Sequence, residues 1–376
     1  MVASNLFGFY NRQHHMKPNG SKHLSFLIFS AKGWGTGSAL RAHYIAEALK
    51  KRGHRVHFVR PIPTLPFWLD MILACPYYLL CSLFTRAQVA LVVKPYPTVV
   101  PALAWQRLLG AKIVIDIDDL DFAYSHGYMR KFHEKLQKPW PRWADIVTYH
   151  NPKLREELLS FFEVPKSKII QLPQGVDTNL FNSKPVEIKN LPDRAKALVT
   201  KKSAPILTFT AHLNVACDLE PALFAFQAIL KEKPKAQLLI AGGGPSEGSF
   251  KMTAQELGIS HSVHFTGYLT VSQVAACLKI SDAVLVYYKK VFVNEYRASM
   301  KLREAVACGR PVVTTKVGEG SSWRNFAAIS EPDPIHFAQA ALKVLKTKKF
   351  PKPTSTELKS WDWMHCVEAL EKELIA

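Results

Sequence analysis

Four consecutive segments near the start of the chain leave few folds open. An apolar run at 24–29 leads into the glycine-rich turn Gly33-Trp-Gly-Thr-Gly37, an amphipathic stretch at 38–52 and a second apolar run at 54–59. Leu40, Tyr44, Ala48 and Leu49 fall on one helical stripe, and Gly53 is placed to stop that helix. Strand, turn, helix, strand in this order opens a parallel α/β domain.

The pattern continues. Short apolar runs at 89–93, 112–117, 146–149 and 169–172 read as further strands, and a polar, lysine-rich stretch at 183–203 reads as a linker. A second series follows, with strands at 206–210, 237–241, 263–266, 283–287 and 311–315 and helices near 219–232, 270–280 and 299–308. The expected layout is a loosely ordered tail at 1–23, a first α/β domain at 24–182, the linker, a second α/β domain at 204–350 and a terminal helix at 351–376. Two such domains imply a cleft, and open parallel sheets bind ligands beyond the carboxyl ends of their strands. The 376-residue length suits two cores of about 150–200 residues each.

The tail has no continuous apolar core of signal-peptide length, so it reads as carrying no export signal. The six cysteines (75, 81, 217, 277, 308 and 366) form no C-x-x-C pair and no zinc spacing, which suits a reducing cytoplasm. The formal net charge of +19 favours anionic partners: nucleic acid, acidic lipid headgroups or phosphorylated substrates. Nucleic acid is disfavoured, because no zinc finger, helix-turn-helix or aromatic-basic RNA motif accompanies the charge. The most apolar stretch, 65–84, is long enough for a membrane span. Asp70 and Pro76 interrupt it, leaving a buried core helix or an element lying on a membrane surface as the main readings.

Several constellations could carry chemistry. Lys301 and Glu304 are three apart on a short helix that ends at Gly309-Arg-Pro311, so they share a face. They form either a surface ion pair, or a site where Lys301 meets a phosphate and Glu304 accepts from ribose hydroxyls. The 33–37 turn and Gly242-Gly-Gly-Pro245 each follow a strand and open toward a helix, where backbone amides can face an anion; either could equally be a structural turn. Asp116-Ile-Asp-Asp119, with Asp121 beyond, crowds carboxylates at a strand end. They could orient an acceptor hydroxyl, hold a divalent metal or cap turns. Gln174-Gly-Val-Asp177 marks a bend, and His212 and Asn214 follow a strand end where they could face the cleft.

Together these pieces resemble the GT-B glycosyltransferases, specifically the retaining family four that uses nucleotide-sugar donors, in a subgroup with an Asp-Ile-Asp-Asp segment. The resemblance covers about residues 24–375. It rests on the first glycine-rich turn with Leu40-Arg41, Ala46-x-x-Leu49-x-x-Arg52-Gly53-His54, Ala144-Asp-Ile-Val147, Leu172-Pro-Gln-Gly-Val-Asp177 with Phe181, Ile240-Ala-Gly-Gly-Gly-Pro245, Phe265-Thr-Gly267 and 299–313. It implies two Rossmann-like domains facing across a cleft, with a C-terminal helix bracing the first. It implies a donor site at Gly35, Thr36, Gly37, Arg41, His212, Gly243, Gly244, Ser299, Lys301, Glu304 and Gly318. Lys301, Arg41 and loop amides would neutralise the departing diphosphate without a metal or other cofactor, and Asp118 or Asp119 would orient or deprotonate the acceptor.

Departures from the family pattern are visible. The first acid of a pair separated by seven residues is here Tyr296, with Glu295 one place off; His212 stands near a position where relatives have arginine, with no lysine soon after it; and Asp118 replaces a histidine. The implied function is sugar transfer from a UDP- or GDP-linked donor to a glycan or lipid-linked acceptor, in cell-envelope polysaccharide or glycolipid synthesis. The implied location is cytoplasmic, with peripheral contact to an anionic membrane surface. The alternatives are a non-catalytic GT-B partner subunit and a sugar-nucleotide epimerase of the same fold.

Overall fold

The computed structural model describes residues 23–31, 33, 36–62, 67–125, 127–201, 204–347 and 350–376. The expected tail, apart from residue 23, and the donor residue Gly35 lie outside them. Two six-stranded sheets form the framework, and every strand pairing within them is parallel. The first comprises β1 (Ser25–Ser30), β2 (Arg55–Phe58), β3 (Val89–Val93), β4 (Lys112–Ile117), β5 (Ile146–Tyr149) and β6 (Ile169–Gln171), in the order β2-β1-β3-β4-β5-β6. The second comprises β7 (Ile206–Thr210), β8 (Gln237–Ala241), β9 (Val263–Phe265), β10 (Ala283–Val286), β11 (Val312–Thr315) and β12 (Ala327–Ser330), ordered β12-β11-β10-β7-β8-β9. The direction of winding reverses between β1 and β3 in one sheet and between β7 and β10 in the other. These are the points where strand ends part and leave a crevice.

Both faces of each sheet are covered, so central strands are apolar on both sides. In β1, Leu27 and Phe29 face one core while Phe26 and Ile28 face the other. The second of these cores is closed by the C-terminal segment, with Trp363, Cys366, Val367, Leu370 and Leu374 packed on the first sheet's side. That segment is three short helices, Ser355–Trp361, Trp363–Cys366 and Glu368–Ile375, rather than one. Asp362 makes the first break by capping the following turn, accepting from the Met364 amide at 2.9 Å. Trp363 stacks on Tyr44 with ring centroids 5.6 Å apart. A Cβ at residue 175 would lie 2.5 Å from the Trp363 ring, which explains Gly175 in the Gln174-Gly-Val-Asp177 bend. Arg52 and His54 reach the same brace through Glu371, at 2.5 and 2.9 Å.

Other expectations need correction. Residues 183–203 are more than a linker, because Asp193–Lys201 is a helix whose Ala195, together with the nearby Leu191, packs against Leu239, Ala241, Ala276 and Cys277. Its polar residues face solvent, and its few apolar ones suffice to seat it. Strand β12 and the helix Pro334–Lys346 were not read from the sequence. The helix start was signalled by Asp333-Pro334, where the Asp333 carboxylate accepts from the amides of Ile335 and His336. Within 65–84 the helix is Phe67–Leu83, and among the described residues no helix is long and apolar enough to cross a membrane.

Candidate active site

The cleft is built where loops at the strand ends meet. After β5, the Asn151 side-chain amide donates to the carbonyls of Glu295 and Arg297, both at 3.4 Å, and Lys153 pairs with Glu295 at 2.6 Å. The Tyr296 hydroxyl donates to Glu157 at 2.7 Å, and its ring joins the first domain's core. Arg297 donates to the Tyr124 hydroxyl at 2.7 Å, which in turn donates to Asp119 at 2.5 Å. The 292–297 segment, which follows β10, therefore clasps the opposite domain. Tyr296 and Glu295, at and beside the position of the family's first acid, are both committed to that clasp.

On the first-domain side, Thr36 caps the helix Gly37–Lys51, its hydroxyl accepting from the Ala39 amide at 3.3 Å. A Cβ at Gly37 would meet nothing within 4 Å, so open space borders the helix start. Arg41, expected to meet the diphosphate, does not. It is 1% exposed and forks onto Asp116 at 2.7 and 2.9 Å. Its remaining donors go to the carbonyls of Leu172 and Pro173 and to the side chain of Gln174. All five guanidinium N–H groups are thus committed inside the protein. Burial alone would lower its pKa, but Asp116 more than offsets that.

Asp116 also accepts from Thr148 at 2.5 Å, directly across β4 and β5. The aspartates of the 116–119 segment thus part ways. Asp116 locks the core, Asp118 lies 3.6 Å from Lys94, and Asp119 accepts from Tyr124 and the Leu120 amide. Among the described residues no group of three or more His, Cys, Asp or Glu is arranged to hold a metal.

The sequence reading missed Lys94 and His150. Lys94 directly follows β3 at the winding reversal, nearly buried and with φ +68°, a conformation rare for a side chain with a Cβ. The Lys-Pro-Tyr-Pro run after an apolar strand was the available signal. His150 lies after β5 with Nε2 2.5 Å from the Asp118 carbonyl oxygen. That oxygen can only accept, so Nε2 carries the proton. Burial, followed by the charge of Arg41, lowers the His150 pKa to about 3, leaving the ring neutral.

On the second-domain side, Ser299 caps the helix Met300–Ala307, accepting from the Leu302 amide at 3.2 Å, and is held by the Tyr288 hydroxyl at 2.8 Å. Arg303 turns away to a two-pronged pair with Glu319, at 2.6 and 2.8 Å, and Glu319 also accepts the Ser299 amide. Among the described residues no ion pair joins Lys301 to Glu304. Instead the Lys301 ammonium sits over the Phe209 ring, 5.5 Å from its centroid. Glu304 keeps a solvent-facing patch but is otherwise enclosed by protein. Burial raises its pKa to about 7, against the opposing pull of Lys301. Burial raises the pKa of Tyr44 in the first domain, and the charges of Glu304 and Asp177 add to it, so Glu304 lies near that domain.

His212 follows β7 at the other winding reversal, its ring 6.2 Å from Tyr268. The neighbouring glycines have a protein-internal reason. A Cβ at Gly242 would lie 1.9 Å from the Ala211 carbonyl oxygen, at Gly244 2.2 Å from that of Leu213, and at Gly243 2.7 Å from the Tyr268 amide nitrogen. Gly242 and Gly244 therefore let the loop after β8 pack on the loop that carries His212, and Gly243 lets it pack on the loop after β9. Gly318 behaves likewise: it has φ +59°, and a Cβ there would lie 2.6 Å from the Asn294 oxygen. These close backbone approaches give each of the three loop glycines and Gly318 a reason within the protein itself.

Two Rossmann-like sheets facing across a clasped cleft, with a C-terminal brace on the first, define a GT-B architecture. Comparison with known proteins agrees. The family model for Glycosyltransferase Family 4 matches residues 35–180, and that for Glycosyl transferases group 1 matches residues 204–347. The chain belongs to the GT-B glycosyltransferases of family four. It is similar to the alpha-monoglucosyldiacylglycerol synthase of Streptococcus pneumoniae, 29% identical over 157 residues, covering 42% of this chain and 34% of that protein. Among solved structures, sucrose-phosphate synthase from Thermosynechococcus elongatus superposes with a TM-score of 0.67 at 16% identity, over 93% of this chain and 94% of that one. Anabaena Alr3699/HepE in complex with UDP-glucose gives 0.64 at 13% identity, over 94% and 96%. The sequence match thus spans about a third of the pneumococcal protein, whereas the fold is shared along nearly the whole chain.

Proposed function

We propose that this chain transfers a hexosyl group, with retention, from a UDP- or GDP-linked sugar to a glycan or lipid-linked acceptor in cell-envelope polysaccharide or glycolipid synthesis, and acts in the cytoplasm. The observation that carries the reading is the first turn of the helix Met300–Ala307. Lys301 and Glu304 share a face there, are not spent on each other, and lie beside the cleft. In this reading Glu304 holds the donor ribose and Lys301 lies near the diphosphate. The open start of the helix Gly37–Lys51 approaches the phosphates from the first domain, where amides and the helix dipole favour negative charge. Asp118, fixed between Lys94 and the neutral His150 at its backbone, orients or deprotonates the acceptor hydroxyl, with Asp119, held by Tyr124, the alternative group for that part. Closure of the clasp excludes water that would otherwise divert transfer to hydrolysis.

The name of the pneumococcal relative, a glycolipid synthase, and the UDP-glucose held by the Anabaena structure support this choice of acceptor and donor. A second reading, a non-catalytic GT-B partner subunit, is favoured by one observation: Tyr296 and Glu295 are spent on the clasp. Incubation with radiolabelled UDP- and GDP-sugars separates the two. The transferase reading expects slow donor hydrolysis that Lys301→Ala abolishes, and an α-linked product from an α-linked donor once an acceptor is supplied. Nucleotide binding without turnover under any condition would favour the partner subunit.

A further inference from the structure

The helix Phe67–Leu83 is two-sided in an unusual sense. Ala74, Tyr78 and Ser82, spaced by four, are buried against the first domain, where Tyr78 donates to the Ser30 carbonyl at 2.9 Å and Ser82 to that of Ala102 at 3.0 Å. The opposite face is apolar as well. Leu69, Ile72, Leu73, Leu80 and Leu83 are 40–64% exposed, and Phe84 just beyond is 88% exposed. Pro76 lies in the same stripe, and none of its described residues is charged. From Leu69 to Leu83 the stripe runs about 21 Å. An outward apolar stripe of this size is expected to have something to cover it.

Charge indicates what covers it. Between Arg60 and Lys112 the sequence contains a single acidic residue, Asp70, and Arg60, Arg86 and Lys112 are all exposed. Arg60 lies beside the helix, its carbonyl accepting from Tyr77 at 2.8 Å, and Arg86 follows Phe84 by two residues. A second copy is a poor fit. A stable dimer buries about 800 Å² per partner, and two chains of net charge +19 repel one another. We infer that this stripe docks the first domain into the surface of an anionic bilayer. Its apolar side chains enter the headgroup boundary while Arg60 and Arg86 meet anionic headgroups. The inference deepens, and rests on, the lipid-linked acceptor reading, since it would hold the first domain where such an acceptor lies.

Flotation of the full chain with phosphatidylcholine vesicles, with and without phosphatidylglycerol, tests this directly. The wild type should float with the anionic vesicles and lose binding as salt rises. The double variant Ile72→Glu, Leu80→Glu should bind at least about tenfold more weakly while keeping the wild-type melting temperature and nucleotide response. Arg86→Glu should weaken binding to anionic vesicles alone. Absence of flotation, or flotation undiminished in the double variant, overturns the inference. So does a dimer that the double variant dissociates in a chain that ignores vesicles, which would give the stripe to a second copy. Nucleotide response is read separately: a chain that responds to nucleotides but ignores vesicles refutes the docking alone, and one that binds vesicles but no nucleotide refutes the transferase reading alone.

Discussion

Arg41 and Asp116 are both shut away from water, so removing either leaves a buried charge without its partner. Breaking such a pair typically costs about 3–5 kcal/mol. Arg41→Met should therefore lower unfolding stability by several kcal/mol in a denaturant titration. If Arg41 instead met the diphosphate, the variant would melt normally and lose nucleotide affinity. Glu304 gives a pH-dependent prediction. Its pKa is raised from 4.5 to about 7 in the folded chain. Below about 4.5 both folded and unfolded chains hold the proton, and the group contributes nothing. As pH rises toward about 7 the unfolded chain releases it more readily, so the wild type loses stability relative to Glu304→Gln, and the gap levels off above that pH. Melting temperatures of the pair from pH 4 to pH 8 check this, and a flat difference would mean Glu304 is not desolvated. Sequence spacing alone placed Lys301 and Glu304 on one face. It could not show that Arg41 is spent internally, because its partners lie 75 to 133 residues away.

At the scale of elements, the brace formed by the last three helices carries the interface between the C-terminus and the first sheet. Trp363 is 4% exposed and fills the space between Tyr44, Arg41 and Gly175. Trp363→Ala should cost about 3–5 kcal/mol, read as a drop in denaturation midpoint. A loss under 1 kcal/mol would show the brace to be loosely attached. A helical C-terminal segment was legible, but Trp363 as its anchor and the breaks at Asp362 and Val367 were not. An aspartate before an aromatic reads as ordinary helix surface until its side chain is seen capping a new turn. The helix Asp193–Lys201 was hidden for the opposite reason. Its composition is that of a linker, and only the neighbouring sheet shows what Ala195 is for.

At the scale of the molecule, alternating strands and helices made both sheets legible apart from the edge strand β12, and their turn glycines marked strand ends. The clasp was not legible. It joins Asn151 to Glu295 across 144 residues and Arg297 to Tyr124 across 173, and no local pattern reports such pairs. It also gives a role to Tyr296 and Glu295, which the family pattern alone left as departures. A clasped cleft with Lys301 and Glu304 at its edge should favour nucleotide binding by the closed form, and binding raises stability by about 2.7 kcal/mol at a hundredfold excess over the dissociation constant. The most direct test is calorimetric titration of the full chain with UDP and GDP, beside Glu304→Gln. The account predicts saturable binding of one of them, weakened at least tenfold in the variant. Equal affinity in the two proteins, or no heat from either nucleotide, would contradict it.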